Sequence, residues 1–244
     1  MKHQQALELF REALGQLDVQ TISPTLRQQL MKLWLRRAQN EHASVASFDR
    51  FCLGLLSVGA PPDLLERAHH AALDEVRHAR LCFAVASRYA GDALGPGPLD
   101  LRGALGGALD ADFSLLSLAQ STAIEGCLGE TLSALEAERC AERATLPALK
   151  LALEIIATDE AEHAELAWAF LRFACETGGS EFTSKVRRIL APALHTSAES
   201  GVKYACADLS VSGYGFLDPA EAITLRREAL AQVLIPAAKE LGLA

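Results

Sequence analysis

A lone glutamate followed some ten helical turns later by Asp-Glu-x-x-His occurs twice in this 244-residue chain, and no other pattern restricts its fold as tightly. Glu41 precedes Asp74-Glu75-Val76-Arg77-His78, and Glu125 precedes Asp159-Glu160-Ala161-Glu162-His163. Lone and motif glutamates are 34 residues apart in the first half and 35 in the second. An α-helix turns about 100° per residue, so Glu and His three apart lie one turn apart on one face. Four helices aiming such faces inward would surround two divalent metal ions with four carboxylates and two imidazoles. The predicted metal set is Glu41, Glu75, His78, Glu125, Glu160 and His163.

The neighbours on each stripe tell which way these faces point. Trp34, Ser44, Val45 and Phe48 share the stripe of Glu41, and Thr122, Leu128, Gly129 and Leu132 that of Glu125. Ala71, Ala72, Ala79 and Cys82 flank one histidine motif; Ile156, Ala157, Ala164 and Ala167 flank the other. Apolar or small stripes belong to a core. Four carboxylates cannot be buried together without compensating positive charge, which two divalent cations would supply. Glu66 and His69 repeat the Glu-x-x-His spacing, but nine residues before Glu75 is about half a turn round the helix, so that pair is read as a surface pair. Glu130 and Glu165 lie five residues from a ligand glutamate, about 140° off its face, and Glu162 lies about 160° from Glu160. These three fall outside the ligand set, with Glu130 the one that has a chance of joining it.

The rest of the chain reads as helical almost throughout. Half the residues are apolar, aromatics are few, and alanine and leucine dominate, which favours helix over sheet. A short amphipathic helix near 3–17 leads to Ser23-Pro24, an N-cap and first helical position. Long helices are expected to about residue 58, over 62–90, over 113–143 and over 147–177, the last ended by Gly178-Gly179. Residues 91–112 are long enough to cross a bundle, and two further helices are expected at 180–198 and 219–241. The expectation is a single all-α domain over 1–244, with a core bundle at 24–178 and a helical extension at 180–244. The two hairpins repeat at an offset of 84–85 residues, which aligns Ala72, Ala79, Leu81 and Ala84 with Ala157, Ala164, Leu166 and Ala169.

Lys plus Arg is 23 against 31 Asp plus Glu, a net charge of −8, which argues against a nucleic-acid partner. No run reaches the roughly 18 apolar residues of a membrane span, and the N-terminus has no apolar signal core. The six cysteines form no CxxC pair and suit reduced, buried thiols in a cytoplasmic protein.

The pattern E…DExxH…E…DExxH, on four helices with a long central connection, resembles the ferritin-like carboxylate-bridged di-iron proteins: ferritins, rubrerythrins, acyl-carrier-protein desaturases and the ribonucleotide reductase small subunit. The resemblance covers about residues 30–175. It implies a ferritin-like four-helix bundle in which Glu75 and Glu160 bridge the metals. Glu41 and His78 would be terminal ligands on one ion, and Glu125 and His163 on the other. It further implies that Asp74 orients His163 and Asp159 orients His78. Oxygen and imidazole ligands without thiolate suit two iron ions, with manganese the alternative.

The function expected first is an oxidoreductase activating dioxygen on a small organic substrate, as oxidase or oxygenase. With no CxxC electron-transfer module, an oxygenase would need an external electron donor. Ferroxidase or iron handling, removal of peroxide by a dimanganese centre, and a non-enzymatic metal-binding bundle are the alternatives. The extension after the fourth helix could wall a substrate pocket or form a homodimer contact.

Overall fold

The computed structural model describes residues 2–100, 113–197, 211 and 213–244, and these are all-helical apart from the connections. Helix α1 spans Lys2–Gln16, α2 Pro24–Ser57 and α3 Pro62–Ala90. A third long rod consists of α4 (Leu115–Thr122), a π-helical segment (Ala123–Glu130) and α5 (Thr131–Arg143). Helix α6 runs over Pro147–Ser197. The C-terminal rod comprises α7 (Pro219–Ala229), a π-helical segment (Leu230–Leu234) and α8 (Ile235–Glu240).

The starts follow local chemistry. Ser23 Oγ accepts from the backbone N–H of Leu26 at 3.3 Å and Pro24 opens α2, so one orphan donor is satisfied and another never exists. Asp218 does the same for α7, accepting from Ala220 N at 2.9 Å and Glu221 N at 3.0 Å ahead of Pro219. Gly91, with φ 80°, closes α3 in the left-handed conformation that glycine adopts without strain. Short connections fold α2 onto α3 and α5 onto α6, and the two hairpins face each other through α3 and α6.

Gly178-Gly179 ends the first limb of α6, as expected: Gly179 takes the non-helical φ 74° and ψ −170°, and a second helix follows at once to Ser197, so α6 is two helices joined across a kink. Of the connection expected at 91–112, residues 101–112 lie outside the described residues, as do 199–210 and 212 of the ill-defined stretch 199–217. The last part of that stretch packs firmly onto α2. Trp34 Nε1 donates to the Tyr214 carbonyl at 3.2 Å, and Phe216 meets Trp34 edge-on at 5.6 Å between ring centres. Arg226 and Glu136, both buried, pair at 2.7 Å and tie α7 to α5.

The apolar core forms two lobes. One gathers Trp34, Ala38, Ala79, Leu149, Ile156 and Phe216; the other gathers Phe48, Leu55, Ala72, Leu166, Phe170 and Leu190. On each of α2, α3 and α6 the residues between the lobes are polar: Glu41 between Ala38 and Phe48, Glu75 and His78 between Ala72 and Ala79, Glu160 and His163 between Ile156 and Leu166. No helix among the described residues is long and apolar enough to cross a membrane.

Candidate metal centre

Within this polar layer two groups of side chains converge. Glu41, Glu75, His78 and Glu160 each bring one potential ligand atom within 4.8 Å of the others, and so do Glu75, Glu130, Glu160 and His163. Glu75 and Glu160 belong to both groups, which places them between two potential ion positions. Glu41, Glu75, His78, Glu160 and His163 are all buried, and Glu130 is half-buried.

Glu125 stands apart. Its carboxylate is 55% exposed and pairs with the Arg50 guanidinium, so Glu130 rather than Glu125 completes the second group. The π-helical segment that starts at Ala123 accounts for Glu130 reaching the layer. Its i→i+5 bonding adds about one residue per turn, so positions five apart nearly share a face. The 140° that separates Glu125 from Glu130 on a regular helix therefore collapses. Gly126 permits the close approach that accompanies this geometry: a Cβ there would sit 2.6 Å from the Ala167 Cβ on α6. Thr131 Oγ1 donates to the Cys127 carbonyl at 2.6 Å as the regular helix resumes.

The histidines are held from behind. His78 Nε2 lies 3.0 Å from Asp159 Oδ2, while His78 Nδ1 faces Glu160, Glu75 and Glu41 at 3.5, 3.8 and 3.9 Å without a hydrogen bond. The buried Asp159 carboxylate thus favours the Nε2–H tautomer and leaves Nδ1 available to a metal. His163 repeats the arrangement more loosely, with Nε2 3.5 Å from Asp74 Oδ2 and Nδ1 3.3 Å from Glu75 Oε1. Arg77 joins the two aspartates, bonding Asp74 within its own helix and Asp159 across the bundle at 2.9 Å. Its counterpart in the second half is Glu162, so this clamp is not duplicated.

Burial and crowding of like charge push the Glu41 carboxyl up to about 8, with Glu160 and Glu75 the charges responsible. Glu160 is driven upward by burial, but hydrogen bonding from Glu130 and His78 outweighs this and holds it at about 2. Burial works against the charged form of His163, yet Asp74 and Glu75 raise it to about 9; His78 is raised well above its usual value by Asp159, Glu160 and Glu75. In the absence of metal, protons on Glu41 and the two imidazoles offset the negative charge of this layer. Glu75 Oε2, Glu160 Oε2, His78 Nδ1 and His163 Nδ1 are nevertheless buried without a hydrogen-bond partner. Four carboxylates and two neutral imidazoles balance two divalent cations, and those unsatisfied atoms are of the kind that ligate them. The residues present fit a metal centre.

Two cavities adjoin the layer. The larger, about 240 Å³, lies between α2, α4 and α6, lined by Phe48, Phe51, Leu118, Leu166 and Ala167, and ends on Glu130 and His163. A smaller one of about 50 Å³ is bordered by Arg37, Glu41, Ser44, Glu130 and Glu160. Glu125 borders both. Arg37, which spacing alone does not single out, is buried and held over the rings of Trp34 and Phe216 at 5.1 and 5.2 Å. Its charge lowers the proton affinity of Glu41. Tyr89 and Cys82 pack in the core away from these cavities, and His69 meets Cys52 at 3.7 Å instead of joining the layer.

No protein-family model, no curated protein and no solved structure matches the chain.

Proposed function

We propose that this chain is a ferritin-like di-iron oxidoreductase that uses dioxygen to oxidise a small organic molecule. The observation that carries the reading is the apolar cavity that ends on Glu130 and His163, two members of the buried Glu/His set. A purely structural metal site gains nothing from such a cavity, whereas an oxidising centre needs a place for a second reactant. Glu41 and His78 would hold one ion, Glu130 and His163 the other, with Glu75 and Glu160 shared. Carboxylate and imidazole donors favour iron, with manganese the alternative.

When bound, the ions supply the reduction of dioxygen; for an oxygenase, one oxygen atom enters the substrate and the other leaves as water, with two electrons and two protons from an external donor. The chain's own residues orient and exclude. Asp159 bonds His78 and turns its Nδ1 inward, while Asp74, joined to Asp159 by Arg77, faces His163 Nε2 at 3.5 Å without a hydrogen bond. Phe48 lies edge-on to His163 at 4.9 Å and, with Phe51, keeps water from the cavity side of that ligand.

Anaerobic reconstitution with ferrous iron, a count of metal per chain and then exposure to oxygen test this. Two irons per chain, oxygen consumption and no further iron uptake support it. Uptake of many irons per chain would instead make iron the substrate, and peroxide removal by a manganese-loaded protein would support a dimanganese centre. Failure to bind metal, or undiminished binding after Glu75→Ala and Glu160→Ala together, would sink it.

A further inference from the structure

We infer that the 240 Å³ cavity takes a neutral, apolar molecule of about eight non-hydrogen atoms, and that its wall selects against anions of the same size. This deepens the di-metal reading and rests on it.

Size comes first. The cavity is smaller than the roughly 300–1,000 Å³ of sites for drug-sized ligands. It corresponds to about eight water-sized groups at roughly 30 Å³ each. Its floor and sides are aromatic and aliphatic: Phe48 and Phe51 from α2, Leu118 from α4, Leu166 and Ala167 from α6.

Of the four hydroxyls on its wall, those of Ser47 and Thr122 are neutral groups without a bonded partner among the described residues, and the other two are engaged. The Ser117 hydroxyl donates to the Ser114 carbonyl at 3.0 Å and the Ser121 hydroxyl to the Leu118 carbonyl at 3.0 Å, so both protons are directed to their own helix. Four charged or ionisable groups border the space. Arg50 and Glu125 pair with each other across the wall, and Glu130 and His163 belong to the metal set. The charge of Arg50 is already offset by Glu125, and an anion at its remaining donors would lie in the same cavity as Glu125 and Glu130. A neutral apolar molecule meets no such opposition and gains from burial.

The test uses the full chain, reconstituted anaerobically with ferrous iron, and two probes of similar size: ethylbenzene, neutral, and benzoate, anionic. Equilibrium binding is measured alongside metal content. Ethylbenzene is expected to bind at least tenfold more tightly than benzoate. Leu166→Trp and, from α4, Ser121→Phe should each weaken ethylbenzene at least tenfold while two irons remain bound. Either variant suffices if the other fails to fold. Benzoate binding as tightly as ethylbenzene would overturn the selectivity. Two irons without ethylbenzene binding, or binding that both folded variants leave unchanged, would overturn the cavity assignment and leave the metal reading standing. Ethylbenzene binding without any metal uptake would overturn the metal reading, and with it the cavity's role as a substrate site.

Discussion

Replacing Glu130 with alanine removes a carboxylate from one end of the Glu/His set, whereas the same change at Glu125 removes only an exposed partner of Arg50. Glu130→Ala is therefore expected to reduce iron stoichiometry from two per chain towards one, and Glu125→Ala to leave it at two, as read by elemental analysis. Behind the imidazoles, Asp159 is the tighter of the two supports, at 3.0 Å from His78 against 3.5 Å for Asp74 and His163. Asp159→Asn should weaken metal binding by about tenfold to a hundredfold in a competition titration with a chelator. Asp74→Asn should cost less. Five of the six members of the set could be placed from spacing, because on regular helices identity and offset alone determine the face. Glu130 could not, since the 100° rule carries no information about where a helix widens.

The π-helical segment Ala123–Glu130 is the element that brings Glu130 to the second Glu/His group. Its two glycines, Gly126 and Gly129, are visible in the sequence, but as small residues beside a glutamate they give no sign of i→i+5 bonding. Gly126→Ala should force the segment away from Ala167, since a Cβ there would approach the Ala167 Cβ to 2.6 Å. The expected loss is about 1–3 kcal/mol of stability by denaturant unfolding, accompanied by weaker retention of one of two irons. Helix boundaries were readable where capping chemistry is local, as at Ser23-Pro24 and Asp218-Pro219. The packing of the C-terminal third was not, because its contacts are distant in sequence: Tyr214 with Trp34, Phe216 with Arg37, Arg226 with Glu136. Breaking the last pair by Arg226→Met strands a buried carboxylate and should cost about 3–5 kcal/mol, measurable by the same unfolding, whereas Glu136→Leu with Arg226→Met should recover most of it.

For the whole molecule, the polar layer makes stability depend on pH without metal and removes that dependence when metal is bound. Without metal, Glu41 has an ordinary value of 4.5 and a folded value of about 8; His163 goes from 6.5 to about 9. Both are raised on folding, so their stabilising protons are fully held below the lower value and lost as pH rises through the upper one. Glu160 is lowered, and its contribution disappears only as pH falls through about 2. The metal-free protein should therefore show a falling Tm from pH 6.5 to 9. Metal ions displace these protons, so the loaded protein should be flat over that range and bind its ions more tightly as pH rises. A metal-free Tm that is constant from pH 6.5 to 9 would contradict this. The division of the core into two apolar lobes has a mechanical corollary. Each lobe is closed by its own packing, while the waist between them is held together by charge neutralisation. Chelation should then leave amide hydrogen exchange slow at both ends of the rods and fast around Glu75 and Glu160. The ions would act as the rivet of a bundle that is otherwise stiff at its ends and soft in its middle.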